Sequence, residues 1–78
     1  MNEASIVCNP KILCGKPTIR GTRISVEYVL ERLSSGDSTD DLIEGHPTLT
    51  REGIQAALAY ALRMLRLESV DAEIEHAA

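Results

Sequence analysis

"GKPTIRGTRIS", residues 15–25, decides how the rest of the chain reads. Gly15, Pro17 and Gly21 punctuate a β-branched run at Thr18, Ile19, Thr22 and Ile24. β-Branched residues favour extended backbone. Pro17 biases Lys16 away from helix, so "GKP" reads as a turn. A glycine inside a strand pattern, here Gly21, marks a bulge or a close backbone approach. Upstream stand the β-prone "SIVC" at 5–8 and the turn signal "NPK" at 9–11. Residues 1–25 therefore read as a short β ribbon with turns. A lone ribbon is not stable in water, so it must pack on helices or on a second subunit.

The pattern then changes to a period of 3.6. Ser25 is a good N-cap, Val26, Val29, Leu30 and Leu33 share one helical face, and Gly36 is a C-terminal stop. This predicts a first helix over about 26–35. Ser38 caps a second over 39–45, with Asp40 and Asp41 in its first turn, where the helix dipole favours negative charge. Thr50 caps a third over 51–67. On that helix Ile54, Leu58, Ala61, Leu62 and Leu65 form one apolar stripe. Tyr60, Met64 and Leu67, with Ala56 and Ala57, form another. The fold class expected is α+β: an N-terminal ribbon, then a three-helix, helix-turn-helix-like bundle, in a single domain. An acidic extension, 68–78, closes it.

Seventy-eight residues make a small domain without Trp or Phe. Such a chain buries only about 60% of its unfolded surface. The surplus apolar face of the third helix is therefore expected to meet a second copy, through Tyr60, Met64 and Leu67. No apolar run approaches the ~18 residues of a membrane span, and "MNEASIV" does not start like a signal peptide. A cytoplasmic protein with no membrane contact is expected. Cys8 and Cys14, with His46 and His76, have no compact zinc spacing. Neither a metal nor a cofactor is expected. Cys8 or Cys14 with His46 is the only nominal nucleophile–base pairing, and no motif joins them. The expectation is a binding protein and not an enzyme.

The charges are unevenly spread. Residues 1–35 hold five Lys or Arg against three Glu, and residues 36–78 three Arg against nine Asp or Glu. No acidic residue falls between Lys11 and Glu27. Lys11, Lys16, Arg20 and Arg23 thus form a basic, turn-rich surface suited to DNA phosphates or to a carboxylate cluster. Gly15, Pro17, Gly21 and Thr22 shape it. Gly21 supplies an unusual backbone angle and Thr22 a hydrogen bond. Arg23 can pair with Glu27 or Glu31. In a helix-turn-helix the start of the last helix meets base edges, which nominates Thr48, Thr50, Arg51 and Gln55. Asp40, Asp41 and Glu44 oppose phosphate there.

These residues resemble a known family. "NP" at 9–10, "GKPTIRGTRISV" at 15–26, Leu30 and Leu33 before Gly36, "LIEGHPTLT" at 42–50 and "IQAALAYA" at 54–61 are similar to the small domain of unknown function 433 (DUF433), described as a VapB-type antitoxin. The likeness spans about residues 6–65. Cys14 departs from it where a second glycine is usual, His46 where an aromatic is usual, and Gly53 where an acidic residue is typical. The resemblance implies a β element followed by a homeodomain-like three-helix unit. It also implies a role as the antitoxin of a PIN-like ribonuclease, with binding to its own promoter DNA. Arg20, Arg23 or Arg66 would enter the nuclease's carboxylate site, or the acidic tail would mask its RNA-binding surface. Two other readings are a small DNA-binding regulator without a toxin and a dimeric interaction module with no nucleic-acid role.

Overall fold

A computed structural model describes residues 5–67. Strand β1 (Ile6–Cys8) pairs antiparallel with β2 (Pro17–Ile19), with Ile6 opposite Ile19, Val7 opposite Thr18 and Cys8 opposite Pro17. Helices α1 (Val26–Ser34), α2 (Thr39–Gly45) and α3 (Arg51–Leu67) follow. The ribbon plus three helices is the α+β architecture expected. Helix bounds agree with those read from the sequence, α1 ending one residue earlier.

The ribbon is shorter than expected, for identifiable reasons. Pro17 opens β2 instead of closing the preceding turn, a strand position that requires no donated hydrogen bond. β2 then stops at Ile19, and the chain reverses through 20–23. Thr22 N–H donates to the Ile19 carbonyl (3.0 Å), and Ile19 N–H donates to the Ile24 carbonyl (3.0 Å). Gly21, at φ +82°, sits at this reversal and not in a bulge. Thr18 is enclosed, because it pairs with Val7 on one side and bridges Ser25 on the other. Its hydroxyl donates to the Val7 carbonyl at 3.2 Å.

Each helix starts and stops on named side chains. Ser25 Oγ accepts from Tyr28 N–H (2.9 Å) at the start of α1. At its end Gly36 N–H donates to the Leu33 carbonyl and Asp37 N–H to the Arg32 carbonyl. That is the Schellman closure, with Gly36 at φ +108°. Arg32 Nε donates to Asp37 Oδ2 (2.8 Å) across the same corner. This hydrogen bond, more than the Asp37 charge, raises the Arg32 pKa further above its ordinary value. Ser38 and Asp41 form a reciprocal capping box on α2. Thr50 Oγ1 accepts from Gly53 N–H (3.0 Å) on α3.

The core consists of Ile19, Val26, Val29, Leu42, Leu49, Ile54 and Ala57, one or more from β2, each helix and the α2–α3 connection. Each fully buried aliphatic side chain contributes about 1.5–3 kcal/mol. On α3 the sequence stripe is corrected. Ile54 and Ala61 face inward as expected, but Leu58, Leu62 and Leu65 are exposed, and Ala57 is fully enclosed. Small residues explain this rotation. A Cβ on Gly53 would lie 3.2 Å from Ile19 Cγ2 and 3.4 Å from Thr50 Oγ1. The helix approaches β2 on its Gly53–Ala57 side, closer than leucines permit, and the leucines turn outward.

Candidate functional site

Two surfaces carry the residues singled out in the sequence. The first is the basic turn around β2. Its shape comes from Thr22, whose hydroxyl donates to the Ile19 carbonyl (2.8 Å) and accepts from Ile24 N–H (3.0 Å). One buried side chain thereby holds both ends of the reversal, and Arg20, Gly21 and Arg23 project outward as exposed residues. Upstream, Asn9 Oδ1 accepts from Lys11 N–H. Residues Leu13–Gly15 then make a single 3₁₀ turn. Leu13, Cys14 and Gly15 all have positive φ, at 49°, 57° and 85°.

The four cations of this surface differ in their commitments. Lys16 Nζ pairs with Glu27 Oε1 at 3.2 Å. Glu27 was one of the two carboxylates expected for Arg23, and Lys16 takes it instead, because Pro17 runs beside the first turn of α1 and carries Lys16 there. Arg20 Nε donates to Ser5 Oγ at 2.7 Å. Among the described residues, Lys11, Arg20 and Arg23 have no carboxylate partner. Cys8 and Cys14 are exposed free thiols.

The nominated reading positions of α3 are less open to a ligand. Arg51 Nη2 donates to Asp40 Oδ1 at 2.6 Å. Thr50 is used as the cap. Thr48 and Gln55 are exposed. The Asp40 pair ties the one cation at the start of α3 to α2, and Asp41 and Glu44 are exposed on that helix. The backbone N–H of Ser38, and then its hydroxyl, stabilise the Asp41 carboxylate and hold its pKa below the usual aspartate value.

The second surface is the outer side of α3. Leu58, Leu62, Leu65 and Leu67 are 42%, 47%, 60% and 75% exposed. Spacings of four and three residues place Leu58, Leu62 and Leu65 on one face. Beside them an apolar groove of about 380 Å³ runs between α1 and α3, lined by Pro17, Val26, Leu30, Tyr60, Ala61 and Met64 among others. Tyr60 and Met64 are thus half-buried against their own protomer, while Leu67 stands free. The Arg63 guanidinium lies 5.8 Å from the Tyr60 ring centroid. Arg66 is exposed in the last turn.

One pair was not anticipated. His46 Nδ1 lies 3.0 Å from the Leu42 carbonyl, and His46 Nε2 lies 3.1 Å from the Tyr28 hydroxyl. A carbonyl only accepts, so Nδ1 carries a proton, and in the neutral imidazole Tyr28 O–H donates to Nε2. The rings meet edge to face at 5.4 Å. Eighteen residues separate the two, and no local pattern signals such a contact.

No helix among the described residues is long and apolar enough to cross a membrane. A family model described as "Protein of unknown function (DUF433)" matches residues 6–61. An uncharacterized protein, y4eO, of Sinorhizobium fredii is 38% identical over 56 residues, which is 72% of this chain and 25% of that protein. The chain thus spans about a quarter of the length of this curated relative. A crystal structure of a DUF433 member protein from Anabaena variabilis is similar at a TM-score of 0.74 and 28% identity. The likeness covers 83% of this chain and 64% of that one.

Proposed function

The chain belongs to the DUF433 family of proteins of unknown function, and from that premise we propose that it is a stoichiometric binding protein. In this reading it forms a homodimer through α3 and neutralises a PIN-like ribonuclease in the manner of an antitoxin. The observation that carries it is the leucine face of α3, which the protomer's own core leaves exposed. The nuclease as partner rests on the family resemblance. It is supported by exposed Arg20 and Arg23, which have no carboxylate partner among the described residues. Such arginines can take a metal-binding carboxylate cluster bidentately.

Promoter DNA is the second reading, favoured by the same cations with Lys11. It is weakened at α3, where Arg51 is engaged by Asp40, and α2 exposes Asp41 and Glu44 besides. Co-expression with a PIN-like ribonuclease encoded beside it tests the first reading. The expected outcome is co-purification at fixed stoichiometry with suppressed RNA cleavage, and loss of both on Arg20→Ala with Arg23→Ala. Fluorescence anisotropy with upstream and scrambled DNA at two salt concentrations tests the second. Tight, sequence-selective, salt-sensitive DNA binding without any nuclease complex would replace the antitoxin by a small DNA-binding regulator. Dimerisation with neither partner would leave an interaction module.

A further inference from the structure

We propose that the cavity under the left-handed turn binds an acylated amino acid carboxylate, the chemistry shared by N-acyl amino acids and the free C-terminus of a peptide. The cavity measures about 310 Å³ and is lined by Leu13, Arg23, Ile24, Ser25, Tyr28 and His46. Its volume falls at the small end of the ~300–1,000 Å³ usual for ligand sites. No acidic side chain lines it among the described residues. Its cation, Arg23, has no carboxylate partner there. The hydroxyl of Ser25 is buried and accepts from Tyr28 N–H, and its own proton has no acceptor among the described residues. Arg23 and Ser25 together therefore supply donors to a carboxylate.

Tyr28 supplies the opposite polarity. His46 is held by the Leu42 carbonyl so that its Nε2 accepts, and the Tyr28 proton is spent on it. The Tyr28 oxygen is left with lone pairs for a ligand N–H. An amide nitrogen on the carbon next to a carboxylate has that N–H. Leu13 and Ile24 offer apolar walls for a side chain. Leu13 is placed there by a backbone at φ +49°, followed by Cys14 at +57°. Two non-glycine residues in this region are costly, which is the kind of strain associated with ligand clamps. The site shares Arg23 with the nuclease reading, but its pocket and its small ligand require neither the nuclease nor the dimer.

The test is chemical-shift titration of the ¹⁵N-labelled full chain with N-acetyl-leucine and with a pentapeptide ending in leucine, each beside its C-terminal amide. Saturable shifts at Leu13, Ile24 and Tyr28 are expected for both acids. The amides should bind about tenfold or more weakly, as removal of a charge-assisted hydrogen bond implies. Arg23→Gln should weaken the acids to the level of the amides. Arg23 is exposed and outside the core, so this variant should keep the wild-type fold. A peptide that binds more tightly than N-acetyl-leucine identifies a protein C-terminus as the source. Equal affinity identifies the small acid. Absence of saturable shifts at millimolar concentration, amides binding as well as acids, or an Arg23→Gln variant of unchanged affinity would overturn the proposal.

Discussion

At the scale of single residues, backbone angles separate what was legible from what was not. Gly21 and Thr22 were readable because their constraints are local: one tolerates φ +82°, and the other closes a turn between Ile19 and Ile24. Cys14 shows the same logic in reverse. It holds φ +57° with a Cβ that disfavours it. Cys14→Gly should therefore stabilise the protein by about 0.5–1 kcal/mol, after part of the gain is offset by the freer unfolded chain. Thermal melting under reducing conditions checks this, and a lower Tm would show that the thiol makes a favourable contact. The ion pairs were less legible. Lys16 reads as a free cation from its sequence neighbours, but Glu27, its partner, lies eleven residues on, and only the placement of β2 beside α1 brings them together.

At the scale of elements, starts and stops were visible in the sequence because caps are short-range. Ser25, Ser38 and Thr50 all cap where expected. The Ser38–Asp41 box yields a pH prediction. The folded-state pKa of Asp41 is depressed, so its contribution to stability is complete above the ordinary aspartate range, about 3.9. It is lost as pH falls through the lower folded value. Asp41→Ala should therefore lower Tm at pH 7 and lower it less at pH 2.5. An equal loss at both would sink the capping assignment. Helix rotation was harder to foresee. Counting apolar positions favoured the Leu58–Leu62–Leu65 side of α3. Gly53 read only as a departure from the usual acidic residue, yet it is where α3 meets Ile19. Close approach is a property of two elements, and one sequence segment does not reveal it.

At the scale of the whole molecule, the expected architecture was recovered, because a ribbon too short to be stable alone needs helices to cover it. The leucines that α3 leaves exposed set the prediction for the assembly. Leu62→Glu places a charge in the middle of the exposed leucine face and outside the core. It should leave the far-ultraviolet spectrum unchanged and convert a dimer to a monomer by light scattering. A variant that unfolds would mean that Leu62 faces the core, and a wild type that is monomeric at high concentration would remove the dimer. The candidate sites were partly legible. Arg23 was chosen from charge alone, whereas its surroundings at Tyr28 and His46 depend on α1 and the end of α2 converging on the basic turn.

The double pairing of Thr18 has a kinetic consequence. The next amide, Ile19 N–H, donates to the Ile24 carbonyl, and Thr18 and Ile19 are both buried. Exchange at such a site is expected to follow separation of the ribbon from the helices. Its exchange rate therefore serves as an internal clock for global opening, against which the fraying of every other segment can be timed without denaturant.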